Sequence, residues 1–159
     1  MTDEWNGNSL ATALAGGNPD AIESYNRTDV WVKGEHILQI CFTLRDDPEF
    51  GFDLLNSLTA VDYLDYFEVV YHITSLKKNA SAVIKTKVGQ GRNNPVLDSV
   101  VNVWRGADYQ EREVWDLFGI TFEGHPNHKR LFLWEGYPGH PLRKDYITYD
   151  QSINPEERG

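Results

Sequence analysis

The sequence holds a single cysteine, Cys41. A lone thiol cannot close a disulfide within the chain, nor supply the thiolates of an iron–sulfur cluster or a cysteine-rich zinc site, so any such centre is expected on a partner. Long apolar runs are also missing. The richest stretches, Leu54–Val61 and Phe67–Ile73, are broken by polar residues every second or third position and fall short of the roughly 20 apolar residues that cross a bilayer. Basic charge is in deficit: 15 Lys and Arg stand against 24 Asp and Glu, for a formal net charge of −9. That is the wrong sign for a nucleic-acid backbone or an anionic lipid surface. The opening Met-Thr-Asp-Glu-Trp-Asn-Gly-Asn lacks the basic, apolar, small-residue order of a signal peptide, which makes a cytoplasmic location the default expectation. No Gly-x-Ser-x-Gly elbow, P-loop or strand-led Gly-x-Gly-x-x-Gly is present, and Gly89-Gln90-Gly91 is too short a glycine signal to count.

What is present suits one domain. At 159 residues with 40% hydrophobic and 13% aromatic side chains, the chain can fill one core, which excludes wholesale disorder. The expected fold is a small α+β domain, an antiparallel sheet packed by helices with a turn-rich C-terminal third. Residues 1–29, rich in Gly, Asn, Asp and Ala with only Leu10, Ala13 and Leu14 hinting at a helix, read as a weakly ordered arm. Residues 30–146 form the domain and 147–159 a polar tail.

Between Glu35 and Arg45, Ile37, Leu38, Ile40, Cys41 and Leu44 follow the i, i+3, i+4, i+7 spacing of an amphipathic helix, stopped by Asp46-Asp47-Pro48. Cys41 lies on its apolar face, where a thiol fills core. Phe52–Val61 reads as a strand. Phe67, Val69, Tyr71 and Ile73 alternate with Tyr66, Glu68, Val70 and His72, and Ala82, Ile84, Thr86 and Val88 repeat the alternation beyond Lys77-Lys78-Asn79. These predict an antiparallel hairpin. Asp98 can cap a short helical stretch through Trp104, although the valines there also suit a strand. Asp108 and Glu111 have capping-box spacing, and Gly119 stands at a left-handed C-cap, so a helix spans about Tyr109–Phe118. Its wheel places Glu111 in the stripe of Val114, Trp115, Leu117 and Phe118, and Arg112, Glu113 and Asp116 opposite. Only Ile120–Glu123 and Leu131–Leu133 remain for regular structure in the turn-rich third.

A carboxylate on an apolar face needs a partner. For Glu111 the candidates are Arg130 and Arg143, either as an internal pair or as a charge held for a neighbouring subunit. His125, His128 and His140, with Asp116, Glu123 and Glu135 near in sequence, raise a zinc or iron site, but His125-Pro126-Asn127-His128 lacks the i, i+4 helical spacing of metal helices and also suits turn-stabilising histidines. Pro141-Leu142-Arg143-Lys144-Asp145-Tyr146 is basic enough to consider an anion loop, although Asp145 and the acidic chain favour salt bridging. The residues by themselves describe a domain with no catalytic apparatus and an aromatic, proline-rich surface suited to docking.

The segment Glu111-Arg112-Glu113-Val114-Trp115-Asp116-Leu117-Phe118-Gly119-Ile120, then Phe122-Glu123-Gly124-His125-Pro126 and Pro141-Leu142-Arg143-Lys144-Asp145-Tyr146, closely resembles the signature of the C-type subunit of respiratory complex I, the thirty-kilodalton subunit family. Leu44-Arg45-Asp46-Asp47-Pro48, Leu58-Thr59-Ala60-Val61-Asp62-Tyr63 and Phe67-Glu68-Val69-Val70-Tyr71-His72 resemble it in the same order. The resemblance runs from Glu35 to Tyr146. It departs at His128, where the family usually has an apolar residue, at Trp134-Glu135-Gly136-Tyr137-Pro138, where a Pro-Asp-Asp-Trp-Glu type stretch is usual, and at Ile147, which replaces a proline.

The resemblance implies a non-catalytic structural subunit in the peripheral arm of a proton-translocating NADH:quinone oxidoreductase. It would have no catalytic, cofactor-binding or metal-ligating residue of its own, with NADH, FMN, iron–sulfur clusters and quinone held by partners. The implied partners are the large quinone-site subunit of D type, the terminal-cluster subunit of B type and other peripheral-arm subunits, on the cytoplasmic side of the inner membrane or the matrix side in a mitochondrion. Its signature and interface positions are Glu111, Arg112, Glu113, Asp116 and Gly119 on the helix, Gly124, His125, Pro126 and Arg130 after it, and Pro141, Leu142, Arg143, Lys144 and Asp145 near the end. An equivalent subunit of a membrane-bound hydrogenase or another donor:quinone complex is the alternative, followed by a small metalloprotein using the three histidines.

Overall fold

Alternation at Phe67–Ile73 marks the strand at the heart of the main sheet. The computed structural model describes residues 3–90 and 92–146. In chain order the elements are β1 (Asp3–Glu4), α1 (Gly7–Gly17), β2 (Ile22–Tyr25), β3 (Asp29–Val32), a 3-10 turn (Gly34–His36), α2 (Ile37–Asp46), β4 (Leu54–Asp62), β5 (Phe67–Ser75), β6 (Ala80–Val88), β7 (Val96–Asp98), α3 (Ala107–Phe118) and β8 (Thr121–Glu123). The main sheet runs β2-β3-β6-β5-β4, with β1 also on β6, and β7 and β8 form a separate pair. The α+β class holds, but the sheet is mixed: β5 pairs antiparallel with both β4 and β6, whereas β1 and β3 pair with β6 in parallel.

Phe67, Val69, Tyr71 and Ile73 of β5 and Ile84 of β6 point into the core. A bulge between Leu55 and Ser57 lets Leu55 oppose Ile73 and Leu58 oppose Tyr71, so two leucines three apart reach the same face. On the other face, Trp31 Nε1 donates to buried Glu68 at 2.9 Å and Lys85 bridges Glu68 and Asp29, which pairs the carboxylate that the sheet's open side buries.

Helix α2 buries Ile37, Ile40, Cys41 and Leu44, the stripe read from its spacing. Residues 3–29 are not the weakly ordered arm expected. The Asn6 side chain caps α1 by accepting from Asn8 N, and Leu10, Ala11 and Leu14 enter the core against β2 and β3. Gly7 permits this close packing, since a Cβ there would lie 2.3 Å from the carbonyl oxygen of Asn26. The contacts that order this segment come from strands that its own composition does not announce.

Two further expectations change. Asp98 ends β7, which pairs in parallel with β8, and Val100 to Trp104 make turns instead of a helix. Asp108 sits inside the first turn of α3 behind Gly106, so no capping box forms, while Gly119 closes the helix with φ +80° as the sequence indicates. Arg112 and Asp116 are buried rather than solvated, because the turn-rich segment after β8 covers that face of α3. Leu131–Leu133 is irregular, and the expected tail at 147–159 lies outside the described residues.

Candidate functional site

Asp116 organises the turn-rich third. Its side chain is fully buried, and Oδ2 accepts the backbone N–H groups of Leu131, Phe132 and Leu133 at 3.3, 2.8 and 3.1 Å. Arg130 donates to the Asp116 carboxylate and carbonyl, each at 2.9 Å, and its other terminal nitrogen reaches the carbonyls of Tyr137 and Gly139. Burial pushes the Asp116 carboxyl up, but these donors outweigh it and hold it below the usual carboxylate range. Arg112 adds bonds to the carbonyls of Lys129 and Arg130. An irregular segment is thereby held by side chains of one helix, which satisfy backbone groups that no ladder pairs.

Glu111 does not meet Arg130 or Arg143. Its carboxylate accepts from the Ser99 hydroxyl at 2.6 Å and from Val100 N at 2.7 Å, tying α3 to the loop after β7. Burial, with Asp108 nearby, raises its pKa to about 7 against the pull of those two donors. Ser99 gives no sign of this role in the sequence, since a single serine in a loop carries no periodic signal.

The three histidines serve the fold. His125 Nδ1 accepts from Asn127 N at 2.9 Å, so its Nε2 carries the proton facing the Asp108 carbonyl at 3.0 Å. His128 Nε2 accepts from Phe122 N at 2.9 Å, and burial and then His125 hold its pKa low. His140 Nδ1 lies 2.9 Å from the Asp116 carbonyl. His128 and His140 meet the Trp115 ring edge-on while the Arg130 guanidinium lies over it, so the imidazole at 128 packs against the helix. Two ring nitrogens that a metal would need are thus engaged by backbone N–H groups, and among the described residues no three His, Cys, Asp or Glu side chains converge on a common point.

The segment Pro141–Asp145 is anchored from two sides. Leu142 N donates to the Leu117 carbonyl at 2.9 Å and Lys144 N to Asp62 Oδ2 at 2.8 Å. Arg143 pairs with Asp145, and Asp145 also meets Arg92, which forks onto Asp62. Sequence reasoning misses Asp62 and Arg92 as a pair, although Asp62 ends a readable strand and Arg92 lies in a conspicuous Gly-Asn-Pro loop. Gly124, φ +84°, turns the chain out of β8 into His125-Pro126. Glu113 is exposed on α3.

Around this scaffold, large apolar side chains face outward: Phe132 is 66%, Trp134 60%, Leu142 53% and Tyr109 65% exposed. Beside Leu142 a groove of about 230 Å³ runs between β4 and α3, lined by Leu58, Ala60, Val114, Leu117 and Phe118.

Similarity to known proteins supplies the class. The model of the family described as the 30 kDa subunit of respiratory-chain NADH dehydrogenase matches residues 30–152, and the chain belongs to that family. Among particular relatives, the C-type subunit of the NADH-quinone oxidoreductase of Roseiflexus sp. (strain RS-1) is 44% identical over 134 residues, covering 80% of this chain and 76% of that one. The second C-type subunit of the NADH-quinone oxidoreductase of Rhizobium meliloti (strain 1021) is 40% identical over 129 residues, covering 78% and 69%. Of solved structures, a trypsin-resistant fragment (1-134) of Nqo5 matches with TM-score 0.57 and 32% identity over 76% of this chain and 96% of that one. A chain of the membrane-bound sulfane sulfur reductase, described as an archaeal respiratory membrane complex, shares the fold with TM-score 0.73 at 22% identity, covering 88% and 85%.

Proposed function

We propose that this chain is the non-catalytic structural subunit of the peripheral arm of a proton-translocating NADH:quinone oxidoreductase. It docks on the large quinone-site subunit and the terminal-cluster subunit through its C-terminal third. NADH, FMN, iron–sulfur clusters and quinone are bound by those partners, and the chain sits at the cytoplasmic face of the membrane, or the matrix face in a mitochondrion. The observation that carries the reading is the 44% identity to an NADH-quinone oxidoreductase subunit of C type over most of both chains. The exposure of Phe132, Trp134 and Leu142 in the C-terminal third supports it, because large apolar side chains left in water suit burial against a partner. No helix among the described residues is long and apolar enough to cross a membrane, so membrane contact runs through the assembly.

Affinity purification of the chain from gently solubilised native membranes, with partner identification and an assay of donor-to-quinone electron transfer, tests this. Recovery of quinone-site, cluster-bearing and nicotinamide-oxidising subunits is the expected result; a chain that emerges alone overturns it. A second reading, the equivalent subunit of a related complex with another donor or acceptor, is favoured by the fold shared with the sulfane sulfur reductase chain. The same purification decides between the two by the partners recovered.

A further inference from the structure

We propose that Asp62 and Arg92 are positioning residues that tie Arg143-Lys144-Asp145 to the end of the main sheet and so set the face offered to a partner subunit, an inference that rests on the subunit reading above. Asp62 is the last residue of β4, and its carboxylate is almost wholly buried. It accepts from Leu64 N and Lys144 N at 2.8 Å each and from both terminal nitrogens of Arg92. Three chain segments, distant in sequence, therefore converge on one side chain. A buried carboxylate with this many donors is a fixed point, since no other group nearby can replace it without leaving N–H groups unpaired.

Arg92 is bent to the task. It holds φ +68°, a region that residues with a Cβ avoid, in a loop where Gly89 and Asn94 are also left-handed. From there its guanidinium meets Asp62, the Leu64 carbonyl at 2.8 Å and Asp145 at 3.2 Å, and lies 4.8 Å from the centre of the Phe67 ring. Arg143 lies against the same ring at 5.1 Å and shares Asp145. The cations of Arg92 and Arg143 are thus consumed inside the chain. Lys144 is different: its backbone is bound by Asp62, its side chain is exposed, and among the described residues no carboxylate pairs with its ammonium. Leu142, beside the groove between β4 and α3, and Lys144 are both exposed on the tethered segment, and the charge left over calls for a partner carboxylate opposite Lys144.

Limited trypsin digestion of the full chain, paired with native-gel analysis of membranes from cells carrying each variant, tests the tether and its use separately. In the wild type the bonds following Arg143 and Lys144 are cut at least about tenfold more slowly than the bond following Lys77 in the exposed β5–β6 turn, because cleavage of a tethered segment waits on local opening. D62N and R92K remove most of that protection while cleavage after Lys77 is unchanged, and both lower the assembled complex. The milder R92K, which keeps the charge but loses the planar fork, guards against an unfolded D62N. K144Q leaves the bond following Arg143 protected and still lowers assembly.

Equal cleavage after Arg143 in wild type and both tether variants overturns the tether. Loosening without any loss of assembly overturns the positioning role, and full assembly of K144Q overturns the carboxylate opposite it. A wild-type chain that enters no complex overturns the subunit reading and the positioning role with it, while the digestion of the chain itself still reports whether the tether exists.

Discussion

Asp116 and Arg130 meet across fourteen residues of chain with one guanidinium nitrogen placed 2.9 Å from both the carbonyl and the carboxylate of the aspartate. The pair lets a helix carry a segment that has no ladder of its own. Asp116→Ala takes the carboxylate from Arg130, which keeps only carbonyl acceptors, and leaves three backbone N–H groups without an acceptor, so the chain should lose about 3–5 kcal/mol, the scale measured when one member of a buried pair is removed. Urea unfolding of the purified variant checks this; a loss below about 1 kcal/mol counts against the role given to Asp116.

Acid should act through the same residue and through Asp62. Both carboxyls lie below their ordinary pKa, Asp62 through its Arg92 bonds against the cost of burial and Asp116 because its backbone donors and Arg130 outweigh burial. Their stabilisation is in place above the unfolded carboxylate value near 3.8 and is lost as pH falls through the folded values. Melting temperature should therefore drop steeply below about pH 4, and the D62N and D116N variants should each show a shallower drop.

Glu111 gives the opposite slope. Its folded pKa of about 7 exceeds the ordinary 4.5, so between those values the folded chain keeps a proton that the unfolded chain has released. Stability contributed by this group falls as pH rises through that window, by about 3 kcal/mol in all. Glu111→Gln preserves an acceptor for Val100 N and removes the titration. His128 and His140, whose pKa values burial lowers, add a rise in the same region, so the quantity to read is the wild-type curve minus that of E111Q between about pH 5 and 8.

Gly119→Ala tests the junction between α3 and the last segment. The new Cβ at φ +80° would approach the His140 ring to 2.7 Å. Left-handed strain alone costs about 1–2 kcal/mol, and displacing His140 also disturbs its bond to the Asp116 carbonyl. The expected signs are a lower melting temperature and faster proteolysis around 139–145.

Arg143→Ala should reduce the amount of assembled complex more than the turnover of each assembled complex, because the arginine organises Asp145 and packs on Phe67. Native gels with electron-transfer activity normalised to assembled complex make the comparison; unchanged assembly with lost turnover contradicts it.

The parts of the fold with local period are legible in sequence: α2 by its stripe, β5 and β6 by alternation, α3 by Gly119. The parts ordered from a distance are not. Helix α1 shows three buried apolar residues and becomes stable only against β2 and β3. A helical wheel sends Asp116 to solvent because it cannot know that residues after 127 return to cover it. The resemblance to a known family locates the signature, and the structure divides its charges: Glu111, Arg112, Asp116 and Arg130 work within the chain, whereas Lys144 faces outward. Ser99, Asp62 and Arg92 lack any pattern of their own and emerge only from the bonds they make.

The parallel pairing of β6 with both β1 and β3 constrains the order of events on a ribosome. Residues 3–4 and 29–31 find their sheet neighbour only at 80–85, and Lys144 finds Asp62 later still. The nascent N-terminal half therefore waits, its strand edges unpaired, until the β5–β6 hairpin has left the exit tunnel. Slow translation or a shortage of chaperones before that moment exposes this chain to aggregation.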